Sequence, residues 1–203
     1  MKALLYKDWL MAKKYLRMFL LMDLIFIFIG VVGRDAVPFF AVFPLVMWSA
    51  LVSSLISYDE RFHFDQTCET LPVPRKLQVS EKYLIGLVYA AAVFALCLIG
   101  TLRRTPAGSA ERHLMIAAML ASGFVPASLM LPAIFKLGME KGRIFYFVIY
   151  FGGLFFASIG ADAASEAVFS FGTRETLLTL LLLLALYALS WLLSIRFYAG
   201  REL

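Results

Sequence analysis

The sequence predicts an all-α integral membrane protein, and its apolar composition is the first reason. Apolar residues make up 62% of the 203 residues, charged residues only 16%, and the mean hydropathy is +0.84. Such a chain has too few polar side chains to cover a water-soluble globule. The apolar residues also fall in continuous runs close to the ~20 residues that a helix needs to cross a bilayer, without the alternating polarity of a transmembrane β-strand.

Six of these runs are candidate transmembrane helices, and loops that contain glycine, proline or charge separate them. They extend over approximately Leu16–Gly33, Val37–Ile56, Glu81–Leu102, Leu114–Phe135, Ile144–Ala161 and Thr176–Ile195. We therefore expect a single transmembrane domain over residues 1–203.

The distribution of cations predicts the orientation in the membrane. With the N-terminus inside, the cytoplasmic segments hold 14 Lys and Arg residues and the outer segments hold 5, as the positive-inside rule requires. Both termini and the loop of residues 57–80 are therefore expected in the cytoplasm, and only the outer pair Arg103 and Arg104 departs from the rule. Because the cations flank apolar spans, the net charge of +5 does not indicate nucleic-acid binding.

The residues before the first span predict a separate interfacial helix over residues 1–16. Its apolar face repeats at helical spacing through Leu5, Trp9, Ala12 and Leu16. Lysines and Arg17 occupy another arc, which is the pattern of a helix that lies in the headgroup plane. Two interpretations stay open: a generic basic anchor that sets the topology, or an elbow helix that braces the first span.

The sequence lacks the common motifs of ATP-binding proteins, zinc proteases and serine hydrolases. It has no G-x-x-x-x-G-K-[ST] loop for ATP, no H-E-x-x-H zinc motif and no G-x-S-x-G elbow. Cys68 and Cys97 have no neighbours at metal-ligand spacing, so we expect no disulfide, no metal site and no redox centre. The sequence therefore argues against an enzyme.

Polar residues inside the predicted spans are the default functional candidates, because they are costly in hydrocarbon. Asp23 lies about two turns inside the first span. We expect its carboxylate either to reach the headgroups or pair with a basic residue, or to line a water-filled pathway for substrate. Tyr146 and Tyr150 belong to an aromatic run on the fifth span, which either lines a path for an amphipathic substrate or packs against a second copy.

The loop of residues 57–80 carries the strongest functional signal. Ser57 and Glu60 have the spacing of a capping box, which predicts a short helix from about Tyr58 to Thr70. Its acidic residues disfavour an anionic membrane surface, and its aromatic residues favour a groove on a partner protein. The predicted docking residues are Tyr58, Asp59, Glu60, Phe62, Phe64, Asp65 and Glu69.

Three stretches resemble the ABC-2-type permeases, which are the transmembrane subunits of bacterial ABC exporters. They are Met1–Asp8 followed by a basic helix, the motif Ile56–Glu60, and the turn Thr70–Arg75 that leads into Ser80–Leu84. The chain is particularly similar to permeases that export amphipathic peptide toxins or confer peptide resistance. The resemblance implies a location in the bacterial cytoplasmic membrane and a substrate that is an amphipathic or hydrophobic peptide or a lipid-like molecule.

The resemblance also implies a division of labour between chains. Two permease chains, identical or siblings, form the membrane domain, and the loop of residues 57–80 supplies a coupling helix to a separate ATPase chain. ATP and Mg²⁺ bind that ATPase, and the permease itself binds no cofactor. Movement of the ATPases tilts the membrane helices and changes substrate access.

Two other function classes stay open at this point. A non-transporting scaffold or sensor with the same fold would carry the same spans, and recovery of the chain without an ATPase would favour it. A secondary transporter is disfavoured, because the predicted spans contain almost no ionisable residues for ion coupling.

Overall fold

The computed structural model shows an all-helical chain, as predicted. It describes residues 2–32, 37–62, 64, 74–104, 108–139, 141–142, 144, 148, 152 and 172–200, and within these ranges the regular structure is α-helical. Five long helices account for nearly all of it. They are α1 (Lys2–Val32), α2 (Val37–Arg61), α3 (Arg75–Arg104), α4 (Ala110–Leu137) and α5 (Thr173–Ala199).

Three stretches are long and apolar enough to cross a membrane among the described residues. They are Arg75–Leu102, Ala110–Leu137 and Thr173–Ala199, which contain the third, fourth and sixth predicted spans. The first predicted span lies within α1 up to Val32, and the second lies within α2. Most of the fifth, Ile144–Ala161, lies outside the described residues. The transmembrane class is therefore supported, and six spans remain a prediction.

Helix α1 differs from the separate interfacial helix that we expected over residues 1–16. It is a single helix from Lys2 to Val32, so no break precedes the first predicted span. The sequence explains this continuity, because the helix contains no proline and its glycine, Gly30, lies near its end. The part of α1 near Asp8 also meets protein, since Asp8 is completely buried, whereas Lys13 and Arg17 are exposed.

Helix α2 corrects the predicted start of the coupling helix. It continues beyond Ile56 to Arg61, so Ser57 lies inside a helix and cannot serve as an N-cap. The N–H of Phe62 donates to the carbonyl of Tyr58 at 3.1 Å, which extends the last turn. Apart from Phe64, the rest of the predicted helix, including Asp65 and Glu69, lies outside the described residues.

The core lies where α2 packs against α3, α4 and α5. Trp48 of α2 is fully buried, and its ring meets Phe124 of α4 edge-to-face at 5.0 Å and Tyr187 of α5 at 5.5 Å. Gly86 lets α3 lie close to α2, because a Cβ at this position would lie 2.7 Å from Trp48 Nε1 and 2.7 Å from a methyl of Val52. The indole of Trp48 therefore fixes the distance between α2 and α3.

Hydrogen bonds between side chains hold the first turns of α3 against the end of α5. The hydroxyl of Tyr83 lies 2.8 Å from the Ser190 hydroxyl and 2.7 Å from the Ser194 hydroxyl. The Tyr187 hydroxyl donates to the backbone carbonyl of Tyr83 at 2.9 Å. These contacts position the residues that precede Tyr83 on α3, which belong to the candidate site.

Candidate functional site

Five ionisable side chains meet where the starts of α1 and α3 approach the end of α2. They are Lys7 and Asp8 of α1, Asp59 of α2, and Glu81 and Lys82 of α3, and we call them the charge cluster. Each helix contributes its charges from a turn near one end, so the cluster forms only when all three helices are packed together.

Each ammonium group in the charge cluster bridges α1 and α2. Lys7 Nζ lies 3.0 Å from Asp8 Oδ1 and 2.9 Å from Asp59 Oδ1. Lys82 Nζ contacts the second carboxylate oxygen of both acids, and in this way it ties α3 to the other two helices. The arrangement places each aspartate between two lysines.

The charge cluster is shielded from solvent, which makes its pairing obligatory. The exposed fractions are 0% for Asp8, 2% for Glu81, 4% for Lys82 and 6% for Asp59. Removing one partner of a buried ion pair costs several kcal/mol, because the other charge then stays buried without a partner. Burial alone would raise the pKa of Asp8, but the charges of Lys82 and Lys7 outweigh it and hold that pKa below its ordinary value.

The three carboxylates approach closely enough to hold a cation. Oxygen atoms of Asp8, Asp59 and Glu81 lie within 4.8 Å of one another, and all-oxygen donor sets suit Mg²⁺ or Ca²⁺. However, the ammonium of Lys82 contacts both aspartates and so supplies the positive charge itself. The cluster is therefore best described as an internal ion-pair network that joins three helices.

Two of the four carboxylates that we expected to dock an ATPase, Asp59 and Glu60, are engaged within the chain. Asp59 belongs to the charge cluster, as described above. Glu60 Oε2 accepts a hydrogen bond from the backbone N–H of Met139 at 3.0 Å, just beyond the end of α4. Gly138 makes that approach possible, because its φ of 80° turns the chain out of α4. Both acids thus hold the end of α2 in place.

Of the two phenylalanines that follow α2, Phe62 is exposed and Phe64 contacts α1. Phe62 is 67% exposed, and its ring stacks on Tyr58 with a centroid distance of 6.5 Å. Phe64 is half-buried, and Lys7 Nζ lies 3.4 Å from the centre of its ring. Phe62 is therefore an exposed side chain on a segment that contacts α1 through Phe64 and Lys7.

Asp23, the predicted pathway residue, is turned into the protein between α1 and α3. It is 1% exposed, and its carboxylate accepts a hydrogen bond from the hydroxyl of Tyr89, which is also buried. Its other oxygen, Oδ1, has no hydrogen-bond partner among the described residues. The described partner is thus a tyrosine, and not the basic residue or headgroup of the first of our two alternatives; the second, a substrate pathway, stays a prediction. Tyr146 and Tyr150 lie outside the described residues.

Sequence reasoning missed the charge cluster and the contact of Tyr83 with α5. Lys7 and Lys82 entered the argument only as orientation signals, because the pairs Lys7–Asp59 and Lys82–Asp8 join residues 52 and 74 positions apart in the chain. A signal for the second feature exists in the sequence: Ser190 and Ser194 are four residues apart and so share one face of α5.

Comparison with known proteins identifies the kind of membrane protein that this architecture represents. A family model described as "ABC-2 family transporter protein" matches residues 3–199, which is nearly the whole chain. No curated protein and no solved structure matches it. The resemblance that the short motifs indicated is therefore confirmed.

Proposed function

The chain belongs to the ABC-2 family of transporter proteins, and on this premise we propose that it is the permease subunit of an ATP-driven exporter. The family supports a membrane-embedded permease that works with an ATPase subunit. Our proposal adds the direction of transport, the route by which ATPase movement reaches the membrane helices, and the class of substrate.

The proposed coupling route is supported by the exposure of Phe62, since its neighbours Asp59 and Phe64 are held by contacts within the chain. Phe62 is 67% exposed directly after α2, whereas Asp59 is held in the charge cluster and Phe64 lies against Lys7. An exposed aromatic side chain on a fixed base is suited to a pocket on a partner, where such residues supply much of the binding energy. We assign Phe62 as the ATPase contact, with Tyr58 supporting its ring.

The charge cluster offers a path for force from this contact into the membrane domain. A push on the end of α2 reaches α1 through Lys7 and α3 through Lys82, because both lysines bind Asp59. Glu60 carries the same movement to the end of α4 through Met139. In this proposal Asp59 and Glu60 are positioning residues, and Asp65 and Glu69 remain candidate contacts.

The family supports a membrane location, and the distribution of cations supports the orientation that we propose. The loop of residues 57–80 and both termini face the cytoplasm of a bacterial cell, where a separate ATPase chain binds ATP and Mg²⁺. A second permease, identical or a sibling, completes the membrane domain. The substrate is an amphipathic or hydrophobic peptide or a lipid-like molecule, and Asp23, Tyr146 and Tyr150 are the candidate pathway residues.

Co-purification tests the proposal, and the chain offers a matched control. The tagged chain is purified from its native membrane in mild detergent, and mass spectrometry identifies what accompanies it. We expect a stoichiometric P-loop ATPase, at least tenfold less of it with Phe62→Ala, and full recovery with Phe28→Ala, since Phe28 is 68% exposed on α1. Equal recovery with both variants would overturn the assignment of Phe62.

A further inference from the structure

An apolar cavity lies inside the chain, between α2, α3, α4 and α5. Its volume is about 180 Å³. Trp48 of α2, Ala90 and Ala91 of α3, Phe124 of α4 and Leu180 of α5 contribute to its walls. The other described lining residues are also apolar, so the part of the chain that the structure describes contributes no charged or hydroxyl-bearing side chain to the cavity.

The size and the walls of this cavity select an apolar occupant. A buried water needs two to four polar partners, and an apolar cavity of roughly 150 Å³ in another protein stays dry and binds benzene. A cavity of about 180 Å³ with apolar walls therefore suits a single ring or a short stretch of alkyl chain. Filling it would also restore dispersion contacts that the lining side chains otherwise lack.

The surroundings of the cavity indicate where such an occupant comes from. Ala91 lines the cavity and is also exposed, so the cavity opens at the surface of α3. Val88 and Ala95 lie one turn before and one turn after Ala91 on the same face of α3, and both are exposed, which makes the surface near the opening apolar. Ala91 lies near the middle of the candidate span Arg75–Leu102, at the depth where lipid chains end.

We propose that the cavity binds the terminal segment of one lipid acyl chain, which enters from the bilayer beside Ala91. The site lies within a single chain, so it is separate from any pathway formed between two permease chains. It requires only that α3 spans the membrane, and it does not depend on ATPase coupling or on the substrate.

The fluorescence of Trp48 reports directly on the occupant, because its ring forms part of the cavity wall. Trp9→Phe and Trp191→Phe leave Trp48 as the remaining tryptophan of the three. The protein is placed in nanodiscs of phosphatidylcholine brominated near the end of its acyl chains, since bromine quenches tryptophan on contact. We expect at least a twofold loss of Trp48 emission relative to unbrominated nanodiscs.

Two matched substitutions on α3 distinguish cavity binding from general contact with lipid. Ala90→Leu places three more carbon atoms in the cavity and should restore most of the emission. Ala92→Leu makes the same change at an exposed position outside the cavity wall and should leave the quenching intact. Gly123→Ala is a milder filling variant should Ala90→Leu fail to fold, since its Cβ meets Leu45 and Trp48 at 3.4 Å.

The remaining outcomes decide against the proposal in different ways. Absence of quenching, or equal quenching with Ala90→Leu and Ala92→Leu, would show that no acyl chain occupies the cavity. A third arm adds bromobenzene to unbrominated nanodiscs. Saturable quenching by bromobenzene, without quenching by the brominated lipid, would show a site for free apolar molecules and overturn the acyl-chain assignment.

Discussion

Lys82 of α3 and Asp8 of α1 form a buried ion pair although 74 positions separate them in the chain. The side chain of Lys82 is 5% exposed and that of Asp8 is 0% exposed. Because neither group can recover its hydration while the helices stay packed, each depends on the other. The pair therefore makes the packing of α1 against α3 sensitive to single substitutions.

Removing the ammonium of Lys82 should destabilise the fold strongly. Among the described residues, Lys82→Met leaves Lys7 as the remaining cation beside the buried Asp8 and Asp59, and breaking a buried pair costs about 3–5 kcal/mol. Lys76→Met is the matched control, because Lys76 is exposed on the same helix. Thermal unfolding in detergent should show a clear drop in Tm for Lys82→Met alone. Equal Tm values for the two variants would contradict a structural role for the pair.

The ion pair also predicts how stability depends on acidity. The pKa of Asp8 is lowered from 3.8 in the folded chain, so its contribution to stability is complete above that value and is lost as the pH falls below it. The Tm of the unmodified chain should therefore fall more steeply below pH 3.8 than that of Asp8→Asn. Parallel pH profiles for the two proteins would show that Asp8 is not stabilised as an anion.

Lys7 should matter for coupling more than for ATPase binding. Lys7→Met removes the ion pairs with Asp8 and Asp59 and the contact with Phe64, but it leaves Phe62 unchanged. We expect the ATPase to co-purify normally, while substrate stimulation of ATP hydrolysis falls several-fold. Lys13→Met, an exposed position on α1, should preserve stimulation. Loss of the ATPase itself with Lys7→Met would place Lys7 in the docking surface instead.

Substitution of Tyr89 should lower the Tm, whereas substitution of Asp23 by Asn should not. Tyr89→Phe leaves the Asp23 carboxylate buried without its donor, and an unsatisfied buried group costs about 1–3 kcal/mol. Asp23→Asn removes the charge but keeps an oxygen that accepts from Tyr89, so the Tm should be preserved. If Asp23 lines the substrate pathway, Asp23→Asn should still alter export. Unchanged export would make Asp23 a packing residue.

Features that depend on neighbouring residues could be predicted from the sequence, whereas contacts between distant helices could not. The apolar runs in α3, α4 and α5 could be predicted because span length depends only on neighbouring residues. The capping-box spacing of Ser57 and Glu60 misled the prediction, because α2 was already helical there and needed no new N-terminus. The roles of Lys7 and Lys82 could not be predicted, since they depend on which helices pack together.

Photo-crosslinking at position 62 tests the coupling route most directly. Benzoylphenylalanine is incorporated in place of Phe62 or, as the control, Phe28, and the membranes are irradiated before any detergent is added. The proposed route predicts an adduct between the permease and a P-loop ATPase from position 62 and none from position 28. An ATPase that co-purifies with the chain but forms no adduct from position 62 would contradict it.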